Sequence, residues 1–309
     1  MKQITFLLFA LLAIRSQAQP AASPKNNLPS INLDKYINMP EDVAIKEIDG
    51  LYPNTSFTAI ENVSNILYNR RFNLVYHLID KYNVKPTVDY LYDLNKYDFV
   101  CGVGLKRTKD VSPTCKQPKV FQDNQDSDAK VKLAGLILSK GIRADFLSAQ
   151  RCVRKNEFPL FKLLYESLIK GQTSNVDGEK LLVDAVDAGC YDMVKYLLDN
   201  NISAKCHDHS GGKDIQDAFY AIYRAVPFPE IFFLLVEHGA DITVQGYSGT
   251  TPIVHAAREG CTEVLQYLLD KGIDPYEIHG NMSAYDMAKK YNLKNSKEAT
   301  SLFKKYKKK

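Results

Sequence analysis

The feature of this chain that most limits its fold is a segment that repeats itself without gaps. Residues 230–241 superimpose on residues 263–274 at an offset of 33 at every position. The same pattern of apolar and polar residues recurs at 192–201, 159–164 and 73–81. A period near 33 residues is typical of proteins built from stacked supersecondary units, none of which can bury its apolar face alone. We therefore expect a repeat solenoid.

Each copy of the pattern reads as an amphipathic helix. Apolar side chains recur at three- and four-residue intervals, so that they share one face of a helix. Gly239, Gly272 and Asn201 follow three of the copies, and these residue types tolerate the left-handed conformation that commonly ends a helix. The repeating unit is thus expected to contain at least one helix with a buried face.

Residues 249–260 carry a second motif, Gly-Thr-Thr-Pro-Ile-Val-His-Ala-Ala-Arg-Glu-Gly. It resembles the ankyrin repeat, whose hallmark is Thr-Pro-Leu-His-x-Ala-Ala-x-x-Gly, followed by Gly-Ala-Asp at the end of a second helix. Val254 stands where the motif has its histidine, so the histidine hydrogen bond to the adjacent loop is not expected here.

The resemblance implies an all-α ankyrin-repeat solenoid of about seven helix-turn-helix repeats with loop insertions. We place first helices near 58–69, 86–99, 145–155, 179–188, 215–225, 249–260 and 283–290. The repeat domain is expected to span residues 35–306, with the clearest repeats at 180–306, and residues 307–309 form a basic tail. A long stretch from Cys101 to Asp128 and a wider spacing after Asp192 indicate the insertions.

The amino terminus carries a targeting pattern. Lys2 precedes an apolar run from Ile4 to Ile14, and Ser16-Gln17-Ala18 places small residues where a signal peptidase cleaves. The run is much shorter than the roughly 20 residues needed to cross a bilayer, and no later segment reaches that length. We therefore expect a signal peptide at 1–18, a flexible linker at 19–34, no integral membrane segment, and a periplasmic or secreted protein.

Composition and motifs exclude several classes of function. The 40 basic and 36 acidic residues leave a net charge of only +4, which is not the basic stripe that nucleic acid requires. The sequence has no Gly-rich phosphate loop, no Gly-x-Ser-x-Gly and no His-Glu-x-x-His. We expect a protein that is not an enzyme and uses no cofactor.

Residues 206–209 (Cys-His-Asp-His) could ligate a metal, but adjacent residues rarely all face one ion, so a solvated polar loop is favoured.

Six cysteines in an exported chain indicate disulfides. Cys101 and Cys115 flank the long insertion, and we predict a bridge between them. Cys190 and Cys261 occupy equivalent positions two repeats apart and are interpreted as small apolar residues.

In the ankyrin family, partners commonly dock on the concave surface made by the first helices and the adjoining loops. The 33-residue alignment assigns that surface to Arg151, Arg154, Asp184, Asp187, Ile222, Ala225, His255 and Arg258, with Tyr247 in a neighbouring loop. Two alternatives remain open. The Arg151/Arg154 and Asp184/Asp187 pairs neutralise one another between repeats, or the inserted loop from Cys206 to Gly212 folds over the group Ile222, Ala225 and Tyr247 and buries it.

These features favour an exported module that binds a protein partner and is a monomer without it. It could be an inhibitor or antidote that covers a toxin or enzyme in the same compartment. The alternative is a scaffold or adaptor at the envelope or cell surface, with the lysines of residues 304–309 against an anionic lipid or polymer.

The first prediction concerns export. We expect the mature chain to begin near Gln19, because the apolar run and the Ser-x-Ala pattern precede that residue. Intact-mass measurement of the exported protein tests this. A product that retains residues 1–18 would contradict it.

Overall fold

The chain folds into a stack of helix pairs. The computed structural model describes residues 29–95, 115–122, 126–170, 176–206, 220–246, 249–291 and 296–306. These residues contain fifteen α-helices and four strands of two residues each. The helices are α1 (Glu41–Leu51), α2 (Val63–Tyr68), α3 (Phe72–Lys81), α4 (Val88–Asp93), α5 (Ser127–Ser139), α6 (Phe146–Lys155), α7 (Phe158–Ile169), α8 (Val176–Ala188), α9 (Tyr191–Asp199), α10 (Ala221–Ala225), α11 (Pro229–Glu237), α12 (Pro252–Glu259), α13 (Thr262–Asp270), α14 (Ala284–Tyr291) and α15 (Ser296–Lys305). The strands are β1 (Ile31–Asn32), β2 (Ile60–Glu61), β3 (Ile278–His279) and β4 (Met282–Ser283).

The helices form two rows. The first row runs α2, α4, α6, α8, α10, α12, α14, and each member packs against the next. The second row runs α1, α3, α5, α7, α9, α11, α13, α15 in the same way. Pairing each first-row helix with the second-row helix that follows it gives seven helix pairs in the described residues, which confirms the predicted all-α solenoid of about seven repeats. Helix α1 and a short 3-10 turn at Asp34–Tyr36 precede them.

Three of the turns between the rows share one geometry. Asn156, Gly189 and Gly260 have φ of 55°, 71° and 72°, so each ends a first-row helix in the left-handed conformation. At Gly189 the space is restricted as well, since an added Cβ would lie 2.6 Å from the ring of Phe228. The sequence carries Gly or Asn at these turns because few other residues could adopt the backbone.

The core lies between the rows and between successive pairs. Leu164, Leu197, Leu235 and Leu268 occupy equivalent positions in α7, α9, α11 and α13, and all four are fully buried. Burying a leucine completely contributes roughly 1.5–3 kcal/mol, so a ladder of this kind stabilises the stack substantially. The helical periodicity of the sequence therefore marks the core correctly in these four pairs.

One ion pair is buried in the stack. Lys130 of α5 lies 2.8 Å from Glu157 at the start of α7, and their side chains are only 3% and 6% exposed. The Lys130 ammonium also donates to the side-chain oxygen of Asn95 at 3.2 Å. Breaking a buried ion pair by removing one of its charges is strongly destabilising, so this contact helps to fix the packing of α5 on α7.

The folded body begins before the predicted boundary at residue 35. Ile31 pairs with Ile60 in a short parallel bridge of β1 with β2, and Ile31 and Leu33 are buried. The Pro- and Ser-rich composition of residues 19–34 predicts a linker that extends to residue 34. The alternation of Ile31 and Leu33 with polar neighbours is the strand signal that this composition obscured.

The predicted bridge between Cys101 and Cys115 is wrong. Cys115 is bonded to Cys261, with 5.0 Å between their Cα atoms, and Cys101 lies outside the described residues. Cys261 is therefore not merely a small apolar residue, whereas Cys190 is a free buried thiol as interpreted. The cause is that residues 115–122 do not close on the base of their own insertion. They run across the turns of later repeats, which no local spacing could reveal.

None of the described helices is both long and apolar enough to span a lipid bilayer.

The second prediction concerns the leucine ladder. Replacing Leu268 with Ala should lower the free energy of unfolding by about 2–5 kcal/mol, because the fully buried side chain would leave a cavity between α13 and its neighbours. Chemical denaturation measures this. The control is Glu263→Ala at an exposed position of the same helix. Equal stability of the two variants would show that Leu268 is not a core residue.

Candidate protein-binding surface

Polar side chains connect successive first-row helices along one face. We define the first-row face as Arg151, Arg154, Asp184, Asp187, Arg224 and Arg258, which lie on α6, α8, α10 and α12. Contacts between neighbouring helices position Arg151, Asp184, Asp187 and Arg224, whereas Arg154 and Arg258 are bonded within their own helices. The face is built one repeat at a time, from α6 to α12.

At α6, Arg151 stacks on an aromatic ring of the preceding pair. Its guanidinium carbon lies 3.7 Å from the ring centroid of Tyr92, and its Nη2 also donates to the Tyr92 hydroxyl. Such a cation–π contact restricts the arginine to one orientation. Arg154, one turn further, is exposed, and within the described part of the chain its hydrogen bond is a long one of 3.4 Å to Gln150 of the same helix. Arg154 is therefore the more accessible cation of the two.

At α8, the two predicted acids are in different environments. Asp184 is partly buried and accepts a 2.8 Å hydrogen bond from the side chain of Gln150. Burial raises the pKa of Asp184, although the hydrogen bond and the charge of Arg154 oppose the shift. Asp187 is exposed and lies 3.0 Å from Arg224 of α10. Asp187 thus pairs with a charged residue of α10, whereas Asp184 is bonded to the uncharged Gln150 of α6.

The structure corrects the prediction for α10, because Ile222 and Ala225 are 1% and 0% exposed. The sequence register of α10 is shifted by two residues relative to α8 and α12. In the pairs α8–α9 and α12–α13, the amide that begins the second helix donates to a carbonyl five residues earlier, as in Cys190 N–H to Ala185 and Cys261 N–H to Ala256. Phe228 N–H instead donates to Ala225, only three residues earlier, at 2.8 Å.

The shorter turn changes which side chains reach the surface. None of the described residues between Ala225 and Phe228 has a positive φ, so the left-handed residue of the other turns is missing. Arg224 and Pro227 consequently take the positions of Asp184 and Asp187. Ile222 and Ala225 are buried members of the core in place of the predicted surface positions.

At α12, His255 is buried rather than offered to a partner. Its ring stacks on Tyr223 with 4.2 Å between centroids and an interplanar angle of 9°. Its Nδ1 lies 3.0 Å from the carbonyl oxygen of Tyr223, and because that oxygen can only accept, Nδ1 carries the hydrogen. Arg258 lies 3.0 Å from Glu259 and stays partly exposed. His255 therefore positions α12 against α10, while Arg258 is available at the surface.

The carboxylate of Glu259 interacts with both His255 and Arg258. Burial alone would raise its pKa, but the hydrogen bond that the protonated ring of His255 donates from Nε2, 3.3 Å away, and the charge of Arg258 outweigh burial and lower the pKa to about 2. Burial lowers the pKa of His255, and Glu259 only partly offsets this. The carboxylate is thus the more firmly charged member of the pair.

Several residues of this surface were not identified from the sequence: Tyr92, Gln150, Tyr223, Arg224 and Glu259. Arg224 could have been found, since Pro227-Phe228-Pro229 lacks the Gly or Asn that precedes α7, α9 and α13. Tyr247 lies outside the described residues, as do His207, Asp208 and His209. Cys206 is 3% exposed, and burial raises the pKa of its thiol to about 12.

The third prediction uses the carboxylate of Glu259. Its pKa in the folded chain lies below the ordinary 4.5, so it stabilises the fold above pH 4.5, and that contribution is lost as the pH falls towards 2. Glu259→Gln should therefore cost at most about 3 kcal/mol at pH 7 and progressively less below pH 4.5. Urea unfolding at several pH values, with Glu263→Gln as the control, measures the difference. A cost that is constant from pH 7 to pH 3 would contradict the coupling.

Comparisons with known proteins agree with this architecture in one region. The family model "Ankyrin repeat" matches residues 248–279, which contain α12 and α13. The ankyrin repeat protein nuc-2 of Neurospora crassa is 44% identical over 57 residues, a match that covers 18% of this chain and 5% of that protein.

Among solved structures, the ankyrin repeat domain of Bcl-3, a member of the IkappaB protein family, is similar with a TM-score of 0.43 and 18% identity. The match covers 58% of this chain and 81% of that one. Residues 248–279 match the repeat family, and helix pairs of the same build are stacked on both sides of them. Residues 248–279 are therefore similar to an ankyrin repeat, and they lie within a longer stack of helix pairs.

Proposed function

We propose that this protein is an exported ankyrin module that binds a folded protein partner through the first-row face. Ankyrin repeats indicate a protein–protein interaction module, and the fold is typically non-catalytic. The observation that carries the proposal is the continuous series of positioned charges on α6, α8, α10 and α12. At Arg151, Asp184, Asp187 and Arg224 a partner would meet side chains already oriented by contacts between repeats, which lowers the entropic cost of binding.

The charges of the face define the kind of partner. Going from α6 to α12, the face is basic at Arg151 and Arg154, acidic at Asp184 and Asp187, and basic again at Arg224 and Arg258. A partner with the reverse order of charges would fit this pattern and be steered towards it. Because Asp187 is already paired with Arg224, the exposed Arg154 is the group with most to gain from an acidic residue of the partner.

Export supports a more specific role. The amino-terminal pattern of residues 1–18 and a disulfide between Cys115 and Cys261 are both typical of proteins in an oxidising compartment. In such a compartment the module would act as an inhibitor or antidote that covers a toxin or enzyme. An antidote is expected to be encoded beside its target, so the neighbouring gene is the first candidate partner.

A scaffold at the envelope or surface is the second candidate function. Lys304 and Lys305 are exposed at the end of α15, and three further lysines follow in the sequence. A cluster of this kind is attracted to anionic lipids or polymers. Binding to anionic vesicles that is lost when residues 304–309 are removed would favour this function over the antidote.

The fourth prediction tests the first-row face. Arg154→Glu should weaken binding of the co-purifying partner by about tenfold, because a like charge would replace the favourable one, while the fold remains intact. The matched control is Lys162→Glu at an exposed position of the second-row helix α7. Affinity capture from a periplasmic or secreted fraction, followed by calorimetry, provides the measurement. Equal loss in both variants, or none in Arg154→Glu, would contradict the proposal.

A further inference from the structure

An extended segment lies across the turns of three successive helix pairs. We call residues 115–122 the clamp. Cys115 is bonded to Cys261 at the α12–α13 turn. Lys116 N–H donates to the carbonyl of Pro227 at the α10–α11 turn, at 2.6 Å. The clamp therefore runs opposite to the order of the repeats.

The clamp continues to the next turn with a two-way backbone bridge. Lys119 N–H donates to the carbonyl of Gly189 at 2.6 Å, and Tyr191 N–H donates to the carbonyl of Lys119 at 3.0 Å. Phe121 N–H then donates to the side chain of Asp192 at 2.7 Å. These contacts fix the clamp at the α8–α9 turn.

A segment that contacts three successive repeats is not part of a simple repeat stack, in which each repeat touches only its neighbours. The clamp joins the α8–α9 pair to the α12–α13 pair, which are two repeats apart, and closes a loop between residues 146 positions apart in the chain. We infer that the clamp couples these three pairs into one cooperative unit, and that thiol reduction at Cys115 releases it.

The covalent bond is the contact on which the clamp depends. Four hydrogen bonds hold its backbone along the described turns, and most of its side chains are exposed, including Lys116, Lys119 and Val120. Ordering eight residues costs conformational entropy, and this free-energy cost is larger than the stabilisation from four partly solvated hydrogen bonds. Once the bond to Cys261 is broken, the segment should leave the turns.

The two sulfur atoms of the disulfide differ in solvent exposure, and this difference determines which of them an external thiolate attacks. Cys261 is 1% exposed, whereas Cys115 is only partly buried. A thiolate of a small thiol such as glutathione therefore attacks the sulfur of Cys115. A bond forms between these two sulfurs, the bond to Cys261 breaks, and the electron pair leaves with the Cys261 sulfur, which takes up a proton.

A second thiol completes the reaction by attacking the external sulfur of the mixed disulfide. This step frees Cys115 as a thiol and produces the disulfide of the small thiol. In total the protein disulfide gains two electrons and two protons, and two external thiols are oxidised. The inference goes beyond the proposed function, because it concerns the coupling of repeats and holds whether or not the partner is known.

The fifth prediction follows the release of the clamp by proteolysis. Trypsin should cleave after Lys116 and Lys119 about tenfold faster, or more, when the full-length protein is pretreated with dithiothreitol, since cleavage requires local opening. Mass spectrometry detects the new peptides that begin at Gln117 and Val120. Hydrogen exchange at the amide of Tyr191 should accelerate in parallel.

Two variants serve as controls. Cys115→Ser should be cleaved rapidly with and without dithiothreitol. Cys190→Ala, which alters a thiol that forms no disulfide at the turn position equivalent to Cys261, should behave as the unmodified protein does. A brief pulse of glutathione should leave the adduct on Cys115.

Three results would overturn the inference. The first is unchanged protection of the clamp after complete reduction. The second is free thiols at both Cys115 and Cys261 in protein purified without reductant. The third is an adduct on Cys261 in place of Cys115, which would contradict the assigned direction of attack.

Discussion

Everything in this structure depends on the burial of apolar helix faces between neighbouring repeats. No single helix pair encloses a core of its own, so Leu164, Leu197, Leu235 and Leu268 become fully buried only because further pairs stack on either side. This requirement aligns the helices in two rows. It also brings the polar ends of successive first-row helices close enough to form the contacts of the first-row face.

The sequence predicted what depends on local periodicity. The helix pairs, their number and the buried positions of the second-row helices all follow from apolar spacing and from Gly or Asn at the turns. The same reasoning failed at α10, because a gap-free offset of 33 assumes turns of equal length. The turn before Phe228 is two residues shorter, and this exchanges Ile222 and Ala225 for Arg224 and Pro227 at the surface.

The sequence could not predict the pairing of Cys115 with Cys261. A disulfide between residues 146 positions apart depends on where an insertion lies in three dimensions, and spacing along the chain contains no such information. The boundary at residue 34 failed for a related reason. Ile31 is held by a bridge to Ile60, a partner that composition alone does not reveal.

The first-row face and the clamp have different proposed roles: the face binds a partner, and the clamp restrains the stack of repeats. Contacts such as Arg224 with Asp187 and His255 with Tyr223 orient the surface side chains from one repeat to the next. The clamp crosses the turns at the ends of the same helices and restrains how the repeats are stacked. Binding would therefore take place on a surface whose shape is set by the stack and by the clamp together.

The register of α10 is the point at which this account differs most from a regular repeat, and thiol labelling tests it directly. Cysteines introduced one at a time at Arg224 and Ala225 would be compared for their rate of reaction with a maleimide. The account predicts rapid labelling at position 224 and slow labelling at position 225, because the latter is fully buried. Rapid labelling at 225 and protection at 224 would restore the regular 33-residue register and contradict the account.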